Sequence, residues 1–224
     1  GNVDIETQTA VTGNIYLGTI EGNTVTLTAG AEIEDLNDAA NNVTATNLIM
    51  SAVGGIGDAN GIETTVETLD VTNASGGNIW IRQLTDDIDV VGILQDGNNG
   101  DITLENLDGT INVLSSGSGV VADGTGDITL TAFGTESDIN INNDVTSEGG
   151  EIGIVAERNV NITDGTVETT GDGSIDIVAG ENVIVANSRI ATEDGTLDIA
   201  SENIYILDQS NVQSGDGTIT LDTG

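Results

Sequence analysis

The chain of 224 residues carries 38 acidic side chains against three arginines, a formal net charge of −35, and has no lysine, histidine, cysteine or proline. Such a charge repels nucleic acid and anionic lipid and attracts cations, so we expect no nucleic-acid partner and no membrane insertion, and we expect divalent cations to bind. The lack of cysteine excludes disulfides and thiolate metal sites. Abundant Val, Ile and Thr together with 31 glycines predict short strands joined by tight turns.

The first hundred residues contain short segments in which apolar and polar residues alternate, the pattern of half-buried strands. They are GNVDIET (1–7), GNIYLGT (13–19), NTVTLTAG (23–30), TLDVTNA (68–74), GNIWIRQ (77–83) and DIDVVGI (87–93). Residues 31–66 are less regular, and we expect an excursion from the repeat there, with a short helix over 31–42. No change of composition marks a linker, so residues 1–224 are interpreted as one domain.

Residues 101–217 fall into five consecutive lines of 26, 24, 23, 22 and 22 residues, and the pattern continues to 221. Each line repeats three apolar positions, which we call stations. The first station is a pair two residues apart: Ile102/Leu104, Ile128/Leu130, Ile152/Ile154, Ile175/Ile177, Leu197/Ile199 and Ile219/Leu221. The second is a similar pair: Ile111/Val113, Ile139/Ile141, Val160/Ile162, Val183/Val185 and Ile204/Ile206. The third is shorter: Val120 or Val121, Val145, Val167, Ile190 and Val212.

A spacing of two residues indicates extended strands with one face inward and the other in water. Three strands of four to six residues in each line, at a nearly constant period, are typical of a solenoid in which each line is one coil and like stations stack. The sequence therefore predicts an all-β fold, a parallel β-helix with three short strands per coil of about 22 residues. The absence of proline agrees with strands that are hydrogen-bonded on both sides.

The phrase VGGIGDANGIETTVETLDVTNASGGNIWI (53–81), followed by GDITL and DGTITL lines, resembles the filamentous-haemagglutinin-like repeats of giant secreted bacterial adhesins. The resemblance extends in style over essentially the whole chain. It implies a right-handed β-helix, a location at the cell surface or outside the cell, and a role in adhesion or fibre building. The secretion-recognition domain that opens such proteins is missing here, which fits an internal segment.

The two ends of the chain read as parts of one coil. The spacing from Ile219 to Val3 of a following copy, eight residues, equals that from Ile175 to Val183. We find no polar caps, and the opening GNVDIETQ lacks a basic and apolar export signal. Three explanations stay open: one repeat of a longer polypeptide, separate subunits stacked head to tail as a filament, or an array cut at convenient glycines. The predicted self-association residues are Val3, Ile5, Ile219 and Leu221.

Acidic residues followed by glycine recur at one turn of the coils: Asp123, Glu148, Asp172, Asp194 and Asp216. Stacked about 4.8 Å apart, their carboxylates would repel one another unless cations intervene or the side chains splay into water. One interpretation is plain turn chemistry, since Asp caps its own backbone. The other is a row of Ca²⁺ sites, because Ca²⁺ takes several carboxylate and carbonyl oxygens. A saline habitat would also produce an acid excess.

Asn159, Asn182 and Asn203 open the second station of successive lines, with Asp138 in line before them. Stacked amides can hydrogen-bond to one another and to turn backbone. We interpret this series as a structural ladder.

Catalysis is not expected. With 38 acidic residues, carboxylate pairs at a spacing suitable for glycoside hydrolysis occur throughout the chain, so such a pair does not distinguish an enzyme from a structural protein. Cleavage of an anionic sugar would need basic side chains to bind and polarise the substrate. Only Arg82, Arg158 and Arg189 are present, in different coils.

These observations favour a structural β-helical repeat protein that forms a rigid stalk or filament by head-to-tail stacking and binds cations at its acidic surface. We expect it at the surface of, or outside, a bacterial or archaeal cell, with further copies of itself as partners. The alternative is a ligand- or glycan-binding adhesin module of a giant surface protein, with residues 31–66 and Trp80 as its contact region.

Overall fold

The computed structural model describes residues 1–7, 13–97 and 99–224. In these residues the fold is all-β, with parallel strands stacked as a solenoid of about nine coils of about 23 residues, and it contains no helix. The predicted parallel β-helix is therefore confirmed.

The first half of the chain uses several long strands. Its elements are β1 (Val3–Glu6), β2 (Ile15–Leu17), β3 (Ile20–Thr28), β4 (Glu32–Asp35), β5 (Val43–Ala52), β6 (Gly55–Ile56), β7 (Ile62–Asn73), β8 (Ile79–Gln83) and β9 (Ile88–Gln95).

The second half uses three short strands per coil. They are β10 (Ile102–Asn106), β11 (Ile111–Val113), β12 (Gly119–Ala122), β13 (Ile128–Ala132), β14 (Ile139–Ile141), β15 (Val145–Ser147), β16 (Ile152–Ala156), β17 (Asn159–Thr163), β18 (Thr166–Thr169), β19 (Ile175–Ala179), β20 (Asn182–Ala186), β21 (Arg189–Thr192), β22 (Leu197–Ser201), β23 (Asn203–Leu207), β24 (Asn211–Ser214) and β25 (Ile219–Thr223).

The two halves join because one long strand, β9, pairs with two short strands of the next coil. Strand β9 pairs with β11 through Ile88–Val90 and with β12 through Gly92–Gln95. Earlier in the chain, β3, β5 and β7 likewise run through both stations and pair with one another in parallel. The second and third sheets are therefore continuous from β1 to β24, and the corner between them becomes sharp only after β9.

Residues at the same position of successive coils form columns, and the core is built from aliphatic columns. The first column runs through Ile15, Ile33, Ile56, Ile79, Ile102, Ile128, Ile152, Ile175, Leu197 and Ile219. From Ile15 to Leu197 its members are at most 6% exposed. Burial of each such side chain contributes about 1.5–3 kcal/mol. In the third station it is Val120, not Val121, that faces the core.

The helix predicted over 31–42 is wrong. Residues 32–35 form β4, because Ile33 takes its place in the first aliphatic column between Ile15 and Ile56. That column keeps a constant spacing of 23 residues through Ile33, Ile56, Ile79 and Ile102. Residues 31–66 thus contribute β4–β6 and the start of β7 to the ladder, and the coil departs from it over 36–42 and 57–61.

Candidate functional site

The turn acids divide into two columns. Asp194 N–H donates to Gly171 O and Asp216 N–H to Glu193 O, which places Asp172, Asp194 and Asp216 in register one above another. Glu148 N–H donates instead to Ala122 O, so Glu148 lies over Asp123 in a neighbouring column. The split arises because Asp172, Asp194 and Asp216 directly precede the glycine that stacks on the coil below, whereas Asp123 and Glu148 directly follow the last strand residue. The single column of five expected from the sequence is wrong.

Two carboxylates at the turn that carries these acids accept hydrogen bonds from backbone N–H groups. Gly124 N–H donates to Glu148 Oε2 at 3.1 Å, and Gly171 N–H to Glu193 Oε2 at 3.0 Å. Burial raises the pKa of the Asp123 carboxyl, and the charges of Glu148 and Asp96 raise it further. In the part of the chain that the structure describes, no group of three or more acidic side chains is arranged to hold a metal ion. Ca²⁺ at the turn column remains a prediction.

The structure brings Asn159, Asn182 and Asn203 together. Asn203 Nδ2 donates to Asn182 Oδ1 at 3.1 Å, and Asn182 Nδ2 donates to Asn159 Oδ1 at 2.6 Å. Asn159 Nδ2 in turn donates to Asp138 Oδ1 at 2.9 Å. Each amide carries one donor and one acceptor along the axis, so the ladder satisfies itself at positions that are half-buried for Asn159 and Asn182 and exposed for Asn203.

The structure contains a second ladder of asparagine side chains, which the sequence analysis did not predict. Asn161 Nδ2 donates to Asn140 Oδ1, Asn140 Nδ2 to Asn112 Oδ1, and Asn112 Nδ2 to Asp89 Oδ1, each at 2.8–2.9 Å. These residues stand between the two aliphatic residues of the second station. The sequence signal that could have predicted this ladder is an Asn that recurs at the same position in three lines.

Each arginine pairs with acids of an adjacent coil. Arg82 contacts Glu63 and Glu105, Arg158 contacts Asp138, and Arg189 contacts Glu168. Burial alone would raise the pKa of the Asp138 carboxyl, but hydrogen bonds from Arg158 Nε and Nη2 at 2.8 Å, and from Asn159, lower it. The three cations therefore act as links between coils.

Trp80 is half-buried and takes part in the same network. Its Nε1 donates to Glu105 Oε2 at 3.2 Å, and the Arg82 guanidinium lies 5.3 Å from the ring centroid. Gly61 packs against the ring. The side chain expected to contact a ligand therefore makes most of its contacts with neighbours in the protein.

The last coil exposes side chains that are buried at the equivalent positions of earlier coils. Leu221 is 48% and Ile219 41% exposed, whereas Ile199 and Leu197 directly below them are at most 1% exposed. Within the described residues, β25 is paired on one side only. At the other end Val3 and Ile5 pack half-buried against the core.

The match between the two ends must be corrected. Val3 pairs with Val25, and its column leads to Val113 and then to Val185, not to Val183. The column of Ile5 leads to Val212 in the third station. Ile219 and Val3 of a following copy would be eight residues apart, whereas Ile175 and Val185 are ten apart. The period alone misassigned the strand because β1 spans a bend between stations.

A groove of about 920 Å³ lies beside β5 and β7. It is lined by small and acidic residues: Gly22, Thr44, Ala45, Thr46, Thr65, Val66, Glu67, Asp86, Asp87 and Asp108. Hydroxyl and carboxylate groups line its wall, and none of the three arginines does.

The chain matches no protein-family profile, no curated protein and no solved structure. No helix long and apolar enough to cross a membrane occurs in the described residues.

Proposed function

We propose that this chain is a rigid structural unit that extends by end-to-end stacking of its coils with further copies of itself. The observation that carries the proposal is that apolar positions are buried only where a further coil covers them: Leu197 and Ile199 below β25 are at most 1% exposed, whereas Ile219 and Leu221 in the last described coil are more than 40% exposed. Unpaired strand edges next to apolar surface are templates for further pairing. Because the two end faces differ, the contact is heterologous and produces a filament.

Stacking must overcome charge repulsion. About nine coils spaced ~4.8 Å apart make a rod of about 43 Å, so a net charge of −35 gives about 0.8 charges per Å, against one per about 1.7 Å in duplex DNA. We therefore propose that divalent cations, Ca²⁺ included, promote assembly by screening or bridging the rods. The proposed location, outside a bacterial or archaeal cell or at its surface, rests on the resemblance of the repeat phrases.

The test compares two lysine variants of the last strand. Leu221→Lys places a charge on the exposed end face, whereas Thr220→Lys adds the same charge to the outward face of the same strand. Sedimentation velocity and negative-stain imaging, with and without Ca²⁺, should show filaments for the wild type and for Thr220→Lys and monomers for Leu221→Lys. A wild-type chain with intact β-sheet circular dichroism that stays monomeric at every concentration and ionic condition would contradict the proposal.

The groove favours a second candidate, a ligand-binding module for neutral glycans. Threonine hydroxyls and carboxylates are suitable partners for sugar hydroxyls, and the groove is large enough for one or two sugar units. Thr46→Trp should fill the groove and abolish binding of the monomer on a glycan array. Thr129→Trp, on the outer face of a different sheet, is the matched control and should leave binding unchanged.

A further inference from the structure

A second feature, independent of end stacking, lies where the coil twice leaves the regular ladder. Asp35 ends β4 just before the first departure (36–42), and Glu63 follows the start of β7 just after the second (57–61). Asn42 joins them: its Nδ2 donates to Asp35 Oδ1 at 2.6 Å, and its Oδ1 accepts from Glu63 N–H at 2.8 Å. The two carboxylate residues therefore belong to one corner of the solenoid.

Oxygen atoms of several kinds converge at this corner. Asn42 Nδ2 has Leu17 O, Gly18 O and Asn37 Oδ1 within 3.4 Å, in addition to Asp35 Oδ1. Further donors reach the same oxygens: Asn37 N–H donates to Asp35 Oδ1, Asn37 Nδ2 to Gly18 O and Asn60 Nδ2 to Asp35 Oδ2. The Asp35 carboxylate is therefore held in place by neutral amide donors, which leave its charge uncompensated.

The charges at this corner are also unbalanced. Glu63 is 0% exposed, and the one cation paired with it among the described residues is Arg82, whose Nη1 lies 3.5 Å from Glu63 Oε1. Arg82 is shared with Glu105, whose Oε2 lies 3.0 Å from its Nε. Two carboxylates therefore share one guanidinium, and Asp35 forms no ion pair among the described residues. A buried carboxylate without full compensation is strongly unfavourable.

Two unsatisfied oxygen atoms belong to the segments that form this corner. Among the described residues, two buried side-chain nitrogen or oxygen atoms have no hydrogen-bond partner, and they are Glu63 Oε2 and Asn41 Oδ1. Asn41 precedes Asn42 in the first departure from the coil. Buried oxygens without donors are rare in folded proteins, and both here are atoms of the type that hard cations bind.

We propose that this corner binds one divalent cation, Ca²⁺ in preference to Mg²⁺, with Glu63 and Asp35 as carboxylate ligands and Asn41 as a neutral oxygen ligand. Ca²⁺ accepts mixed sets of carboxylate, amide and carbonyl oxygens in irregular geometry, whereas Mg²⁺ demands a near-ideal octahedron. A dication would compensate the excess charge and give Glu63 Oε2 its missing partner.

The experiment uses Tb³⁺, a luminescent substitute for Ca²⁺, excited through Trp80, the single tryptophan of the chain. Trp80 stacks on the arginine that contacts Glu63, so sensitised emission reports on this corner and not on distant turn acids. The wild type should give saturable emission that Ca²⁺ suppresses at lower concentration than Mg²⁺. Glu63→Gln should weaken Tb³⁺ binding about tenfold or more, as when a ligand set is disturbed.

Glu202→Gln, which changes an exposed acid of the C-terminal coils in the same way, is the matched control and should bind like the wild type. Asp35→Asn provides a second variant should Glu63→Gln lose its β-sheet circular dichroism. The proposal would be contradicted if the Tb³⁺ emission of the wild type did not saturate or were not suppressed by Ca²⁺. Retention of wild-type affinity by folded Glu63→Gln or Asp35→Asn would overturn it as well.

Discussion

Substitution of Gly150 by alanine tests the stacking geometry at the turn. Gly126, Gly150 and Gly173 lie one above another, and an ideal Cβ on Gly150 would stand 2.1 Å from Gly126 O. Its backbone is not in the left-handed region, so the constraint comes from the coil below and not from the residue's own conformation. Relief needs a shift of about 1 Å in a ladder whose coils are about 4.8 Å apart.

The matched control is Gly153→Ala, three residues further on. Gly153 lies on the outer face of β16, and the nearest atom to its ideal Cβ is Ile128 O at 4.0 Å. Alanine there should stabilise by about 0.4–1 kcal/mol, because it restricts the unfolded chain without straining the folded one. Gly150→Ala should destabilise by about 1–3 kcal/mol, the usual cost of overpacking.

Urea unfolding followed by far-ultraviolet circular dichroism measures both variants against the wild type. For a chain of this size about 1 kcal/mol corresponds to a shift of about 2–4 °C in Tm, so thermal scans should separate the two alanine variants. Gly150→Ala at or above the stability of Gly153→Ala would refute the argument that contact between successive coils selects glycine at this corner.

Three further outcomes are expected. Asn140→Ala should lower the free energy of unfolding by about 1 kcal/mol, since it breaks the second amide ladder at its centre, as urea titration can measure. Arg158 helps to hold the pKa of the Asp138 carboxyl below its ordinary value. The pair therefore stabilises the fold above the unfolded-state pKa of Asp138, and this stability is lost as the pH falls through the folded-state pKa. Asp138→Asn should remove that acid dependence of the free energy of unfolding, measured by unfolding curves at a series of pH values. Burial raises the pKa of Asp176, as does the Asp198 carboxylate opposite it, so ionisation disfavours the folded state near neutral pH. Because Asp176 is exposed, solvent screening limits the effect, and Asp176→Asn should gain at most about 0.5 kcal/mol at neutral pH. The difference should vanish at low pH, where the carboxylate is protonated in the folded and in the unfolded state.

Regular coils were predictable where aliphatic spacing alone determines the structure. Ile102/Leu104 and Ile128/Leu130 appear as strands because residues two apart share a face, and their columns follow from the near-constant period. The Asn159 ladder was predictable for the same reason, since equal offsets from a stacked strand stack in turn. The second ladder through Asn112 and Asn140 carried an equally regular signal, which was overlooked.

Turn and end registers were not predictable, because they depend on which residues of each corner stack on the coil below. Asp172 directly precedes the stacked Gly173, whereas Glu148 lies two residues before the stacked Gly150, so the two acids fall in different columns although each is followed by glycine. Likewise Val3 and Ile5 resemble a second-station pair by spacing, yet β1 follows the bend that β3 makes between two sheets. A periodicity of two cannot distinguish a straight strand from a bent one.

The sequence by itself determined a stack of aliphatic coils with an acidic exterior, since inward and outward positions follow from alternation and the charge from composition. Only the tertiary structure decided which acids meet. Glu63 belongs to an ordinary-looking ETTVET phrase, and its complete burial beside Asp35 arises because segments that are distant in the chain close over one corner of the coil. Burial of a charge depends on what covers it, and the covering residues lie about one coil away in the sequence.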